Sequence, residues 1–257
     1  MRAPTFAYWA AIRCFGSGRY SAETSPSEVV HIGDSTSEGL VSAEYLPNPK
    51  QRIAAQYARV GARTSHLEVS GARSIYETFE GLPNAETVAQ SWKDQGFDGC
   101  WVLALGTNEA ANVAAGSTIT YDDRIKSMMD VADGDPVLWV NVKTLVKDGP
   151  YAEQNMAAWD QALEDACATY PNMRIYDWAS AVKDAWYIDD GIHFTSPGYA
   201  ARGRLIANAL LDAFPASAET STDETTDEET TTEETTTSTD DTTSDEGDAA
   251  APSCLIS

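Results

Sequence analysis

The sequence predicts a doubly wound α/β domain, a five-stranded parallel sheet with helices on both faces, followed by an acidic tail without fixed structure. Three observations carry that expectation. Short apolar runs alternate with segments of helical period, and no hairpin signals separate them. The run at 100–105 is continuously apolar, as a central strand covered on both faces requires. After residue 215 the composition changes abruptly to Thr, Glu, Asp and Ser. A chain of 257 residues is long enough for one sizeable domain and an appendage.

The elements follow in order. Residues 29–32 form a short β-branched strand that stops at Gly33-Asp34-Ser35, and a helix-compatible segment begins there. Residues 51–60 read as helix and 65–69 as a second strand ending at Ser70-Gly71-Ala72-Arg73. A helix over 85–95 places Val88, Ala89 and Trp92 on one face. The strand at 100–105 ends at Gly106-Thr107-Asn108, and a looser stretch at 111–120 precedes a helix over 122–131. Residues 136–142 supply the fourth strand. Between 151 and 170, Met156, Trp159, Leu163, Cys167 and Tyr170 recur at three- and four-residue intervals, the stripe of an amphipathic helix. Residues 173–176 make the fifth strand, a loop runs over 177–195, and Ser196-Pro197 opens a last helix to about residue 214. Right-handed crossovers between such strands give a flavodoxin-like sheet. The expected division is an extension at 1–24, a domain at 25–215 and a disordered tail at 216–257.

Charge narrows the partners. Thirteen of the 40 acidic residues and none of the 17 basic ones lie between Glu219 and Asp248, so the remainder carries 27 acids against 17 bases. Nucleic acid and anionic membrane surfaces are repelled by both parts. The tail cannot bury enough apolar surface to offset its ordering entropy; it reads as a solvated spacer or a glycosylated stalk. No apolar run reaches the roughly 18 residues needed to span a bilayer. Arg2, the apolar patch at 6–12 and Arg13 make a poor signal peptide. A secreted or cell-envelope protein is expected, and a cytoplasmic one stays open. Cys14, Cys100, Cys167 and Cys254 are scattered and only three histidines are present, so neither a metal nor another cofactor is expected. Cys100 and Cys167 read as buried thiols, although four cysteines also permit three full pairings. The final Cys254-Leu255-Ile256-Ser257 fits a prenylation box, but its acidic upstream residues favour a chance match.

In a doubly wound sheet the ligand site lies at the carboxyl ends of the strands. Three such ends bring Ser35, Gly71 and Asn108, and the loop after the fifth strand brings Asp190 and His193. Acyl transfer through serine needs a base, a group that orients the base, and donors for the oxyanion. Ser35 fits the nucleophile, His193 the base and Asp190 its partner. The backbone N–H groups of Ser35 and Gly71, with the Asn108 amide, fit the oxyanion hole. Singly each has a plainer reading: Asn108 as a cap or turn residue, His193 as a satisfied loop histidine, Asp190 as a turn cap.

Gly33-Asp34-Ser35, Gly71, Gly106-Thr107-Asn108 and Asp190-x-x-His193 resemble the four ordered blocks of the SGNH, or GDSL-type, hydrolases. The resemblance implies Ser35 as nucleophile, Gly71 and Asn108 as oxyanion donors, and His193 and Asp190 completing the site. It implies a serine esterase acting on small O-acyl groups, acetyl on carbohydrate first among them. Gly71-Ala72-Arg73-Ser74, Val140-Asn141-Val142, Asn155 and Asp177-Trp178 are similar to the SGNH domains of cell-wall O-acyltransferases, which keeps transfer open beside hydrolysis. A noncatalytic cell-surface binding domain on the same fold is the third possibility. Trp178, Trp186 and Tyr187, on the way to His193, are candidates for stacking on a sugar or for packing.

Overall fold

A computed structural model describes residues 23–216 and 254–257. Residues 1–22 and most of the expected disordered tail, 217–253, lie outside the described residues. The strands are β1 (Glu28–Gly33), β2 (Thr64–Val69), β3 (Cys100–Ala104), β4 (Val137–Val140), β5 (Met173–Tyr176) and β6 (Leu255–Ile256). All pairs are parallel, in the order β2-β1-β3-β4-β5-β6. The first five follow the flavodoxin-like order, whose switch point lies where the chain passes from one side of β1 to the other.

Alternating strand residues feed two cores. Val30, Ile32, Trp101, Leu103 and Trp139 face one side, where they meet α3 (Ala85–Asp94), α4 (Thr107–Ala114), α5 (Tyr121–Ala132) and α6 (Glu153–Cys167). Val29, Val102, Leu138 and Val140 face the other, against α1 (Ser35–Val41), α2 (Ile53–Arg59) and α8 (Ser196–Ala213). Every residue of β3 is buried, which accounts for its unbroken apolar run. The α6 stripe Met156, Trp159, Leu163 and Cys167 is core as its period requires. Local signals set the ends: Asn84 caps α3, and Thr120 and Asp123 close a capping box on α5. Thr195, one residue earlier than expected, caps α8 by accepting from the Gly198 N–H.

Four expectations need correction. Among the described residues the sheet has six strands, because Leu255 and Ile256 add to the β5 edge, with the Ile175 and Asp177 N–H groups donating to Cys254 O and Ile256 O, each at 2.8 Å. The last four residues are therefore part of the fold rather than of a disordered tail. Cys167 is not a free thiol: it is disulfide-bonded to Cys254, with their Cα atoms 6.2 Å apart. A two-residue strand has no periodicity to detect, and its partner is distant in sequence. Cys100 is the buried free thiol expected. Thirdly, the stretch after Asn108 is helical, as α4; three alanines favour the helix, while the Gly106 break and the two asparagines obscure it in the sequence. Finally, the loop after β5 contains a short helix, α7 (Trp178–Ala181), capped by Asp177.

Candidate active site

The position of Ser35 follows from the end of β1. Asp34 leaves the strand in extended conformation and caps α1, accepting from the Thr36 N–H at 2.8 Å and the Thr36 hydroxyl at 2.7 Å. Ser35 is thereby the first helical residue, held half-buried above the sheet. Space beneath it is tight, since a Cβ on Gly33 would collide with Ser37 Oγ and lie 3.1 Å from His31 Nε2. His31 pairs with Tyr57 Oη at 2.7 Å and Ser37 Oγ at 3.2 Å; burial drives its pKa down to about 3, so it is a neutral core histidine.

Ser35 Oγ lies 2.8 Å from His193 Nε2, and His193 Nδ1 lies 2.6 Å from Asp190 Oδ2. The other oxygen, Asp190 Oδ1, accepts from the backbone N–H groups of Ile192 at 2.8 Å and His193 at 2.9 Å. Burial works to raise the Asp190 carboxyl, but these bonds outweigh it and hold the group below its ordinary range. Gly191, at φ 69°, makes the turn between the two residues in a conformation suited to glycine.

Gly71 reaches the same level through strand register. Gly33 pairs with Val69, and Ser70 N–H donates to Gly33 O at 3.2 Å, so Ser35 and Gly71 each stand two residues beyond one rung. A Cβ on Gly71 would sit 3.1 Å from Glu38 Oε1. Ala72 follows with φ 53°, a left-handed conformation uncommon outside glycine.

Asn108 is the second residue of α4, not its cap. That cap is Gly106, whose φ of 149° and whose Cα, set where a Cβ would collide with Trp159 Nε1, both demand glycine. Asn108 Nδ2 donates to Arg73 O at 2.9 Å, while Oδ1 accepts from the Tyr151 hydroxyl at 3.2 Å. Next to it the fully buried Glu109 accepts from Ile75 N–H at 2.6 Å. The start of α4 is thus stitched to the segment that carries Gly71. Farther along, Glu77 receives the buried Arg124 and Asn112 Nδ2, which anchors that segment's far end.

The structure therefore brings Ser35, His193 and Asp190 into one hydrogen-bonded row and sets Asn108 beside the Gly71 segment. The aromatics near His193 turn out to pack. Trp178 and Tyr187 are buried, Trp178 lies near-parallel to Trp186, and the Tyr187 hydroxyl donates to Lys143 O at 2.8 Å. Two neighbours of the site escaped the sequence reading. Arg202 is buried on α8 with its guanidinium 4.6 Å from the Trp178 ring centre and 5.4 Å from that of Phe194; its place on the face of Tyr199 and Ile206 marks it as inward-facing. Tyr151 gave no sequence signal at all. Among the described residues, no three metal-ligating side chains converge, and no helix is long and apolar enough to cross a membrane.

The fold is a doubly wound α/β one, with a Ser-His-Asp row at the carboxyl edge of its parallel sheet. A family profile described as GDSL-like Lipase/Acylhydrolase matches residues 31–201. The chain belongs to that family. Similar solved structures include a lipase/acylhydrolase from Enterococcus faecalis, 17% identical with a TM-score of 0.57 over 74% of this chain and 99% of that one. A carbohydrate acetylesterase from Sinorhizobium meliloti is 19% identical, with a TM-score of 0.54 over 73% and 99% of the two chains. The catalytic domain of peptidoglycan O-acetyltransferase A from Streptococcus pneumoniae is 17% identical, with a TM-score of 0.50 over 72% and 91%. At these identities the likeness is one of fold. No curated protein matches the sequence.

Proposed function

We propose that the protein is a serine esterase that hydrolyses small O-acyl esters, O-acetyl on carbohydrate foremost, through an acyl-enzyme on Ser35. The observation that carries this reading is the unbroken path from Ser35 Oγ through His193 to Asp190, at 2.8 and 2.6 Å. His193 Nε2 takes the hydroxyl proton as Ser35 Oγ bonds to the carbonyl carbon, and the electron pair moves to the carbonyl oxygen. Asp190 holds the ring and stabilises the imidazolium that forms. The N–H groups of Ser35 and Gly71 and the Asn108 amide receive the oxyanion. Collapse expels the alcohol, which takes the proton from His193; water then repeats the cycle on the acyl-enzyme and releases the acid. The acetylesterase among the similarly folded proteins makes sugar acetates the first substrates to try.

The test is turnover of an activated acetyl ester, with a fluorophosphonate probe trapped and mapped by peptide analysis. An adduct on Ser35 is the expected result; no adduct and no turnover would leave a binding domain. Transfer is the second reading, supported by the resemblance at residues 140–142 and 177–178 to acyltransferase domains. Both routes share the acyl-enzyme and differ in whether water or a bound hydroxyl reaches it. With an acetyl donor and millimolar chitooligosaccharide, free acetate is expected as the main product. Acetylated sugar as the main product would replace the esterase by a transferase.

A further inference from the structure

The loop between β4 and α6 holds none of the residues assigned above, yet it reaches the oxyanion side of the site. It is tied down along its length. Thr144 Oγ1 donates to Tyr151 O at 2.7 Å and Thr144 N–H to Glu153 Oε2 at 2.7 Å, while Asn155 Nδ2 donates to Gly149 O at 3.1 Å and Pro150 O at 2.9 Å. Its first part is bound to the base-bearing loop, because Leu145 N–H donates to Gly191 O at 2.7 Å. Tyr151 projects from this braced segment with its hydroxyl 3.2 Å from Asn108 Oδ1.

We propose that Tyr151 is a positioning residue that orients and polarises the Asn108 amide for the oxyanion, an inference that rests on the esterase reading of the site. An asparagine amide has two N–H donors and one carbonyl acceptor. One donor is used by Arg73 O at 2.9 Å, which sets the nitrogen toward residue 73 and the oxygen toward Tyr151. The second N–H remains for the substrate oxygen. A hydrogen bond received at Oδ1 draws electron density from the amide nitrogen and makes that second N–H a stronger donor, the cooperativity expected of linked hydrogen bonds. Burial, and then the negative charges of Asp34 and Glu109, push the Tyr151 phenol above its ordinary range, so it stays a protonated donor. The division of labour is physical: Arg73 O and the Tyr151 hydroxyl, at the two ends of the amide, fix which way it faces, and Tyr151 also sets how strongly it donates.

Tyr151→Phe removes the hydroxyl and keeps the ring. The expected loss is roughly three- to tenfold in kcat, the worth of one neutral hydrogen bond, with KM and melting temperature unchanged. In an Asn108→Ala background the same substitution should cost nothing more, since the amide it acts through is gone. A loss carried undiminished into that background, or one confined to KM, would mean that the hydroxyl acts on the substrate directly and would overturn the proposal, as would unchanged kcat. An activity-independent reading separates this proposal from the esterase assignment. The Asn108 Nδ2 proton resonances, identified by their absence in Asn108→Ala, should move upfield in Tyr151→Phe; resonances that stay in place refute the inference whether or not the protein turns over an ester.

Discussion

Asp190 grips His193 twice, with one carboxylate oxygen 2.9 Å from its backbone nitrogen and the other 2.6 Å from Nδ1 of its ring. Main chain and side chain of His193 are thus set by a single group three residues away, at small cost in loop-closure entropy. Ser35→Ala and His193→Ala should each abolish nearly all turnover, and the double variant should lose little more, because residues that act as a unit are not additive. Asp190→Ala should be milder. Losses for Ser35 and His193 that multiply in the double variant would show that they do not work together.

Asn108 separates catalysis from stability. Losing one oxyanion donor costs about 2.7–4 kcal/mol in the barrier, roughly a hundred- to a thousandfold in turnover. The helix cap is Gly106, so what the fold owes the Asn108 side chain is its two bonds, to Arg73 O and from the Tyr151 hydroxyl. Asn108→Ala should cripple turnover and lower the melting temperature by a few degrees at most. A large fall in melting temperature with near-normal turnover would make it a structural residue.

Glu109 should give the stability a pH dependence of known sign. Burial raises its carboxyl from 4.5 to about 7. Below about pH 4.5 the acid is protonated in both the folded and unfolded chains, and its contribution is fully present. As the pH rises toward about 7 the unfolded chain releases the proton while the folded one retains it, so stability falls. The whole loss is on the order of 3 kcal/mol. Glu109→Gln keeps the acceptor for Ile75 N–H and removes the titration. Melting at pH 5 and pH 8 should show wild type losing more than the variant between those values; parallel losses would contradict the assignment.

Cys254→Ser should weaken the fold and spare the chemistry. Its disulfide spans 87 residues of sequence, and loss of such a link typically costs about 2–4 kcal/mol. β6 lies at the sheet edge with β3, β4 and β5 between it and β1, so turnover at 25 °C should stay within about threefold of wild type. Truncation after Ala216 should behave the same way. A tenfold loss of turnover in either variant would mean that the last residues act on the site.

What the sequence allowed to be read follows from range. Ser35, Gly71 and Asn108 each sit just beyond a short strand that ends in a glycine or serine break, and parallel alternation places all such ends on one edge. Asp190 and His193 are three residues apart, so their pairing was a local matter. The helical stripe at Met156, Trp159 and Leu163 is legible because burial imposes its period. By contrast, Leu255-Ile256 is too short to have a period, and its attachment depends on a partner strand and a cysteine more than 75 residues earlier. Tyr151 matters through one contact to a residue 43 positions away, and no pattern in its neighbourhood encodes that. Trp178 and Tyr187 stand near the site in sequence, yet Arg202, from another helix, draws Trp178 into the core.

The link between Cys167 and Cys254 makes the chain from one to the other a covalent ring, and the acidic stretch at 217–253 is an arc of that ring. A protease that cuts once within the arc opens the ring without freeing either piece. The cut protein migrates as one species until a reductant is added, and only then releases the fragment that carries Cys254. Clipping the acidic arc and detaching the last strand are therefore two separate events, and the second requires the surroundings to turn reducing.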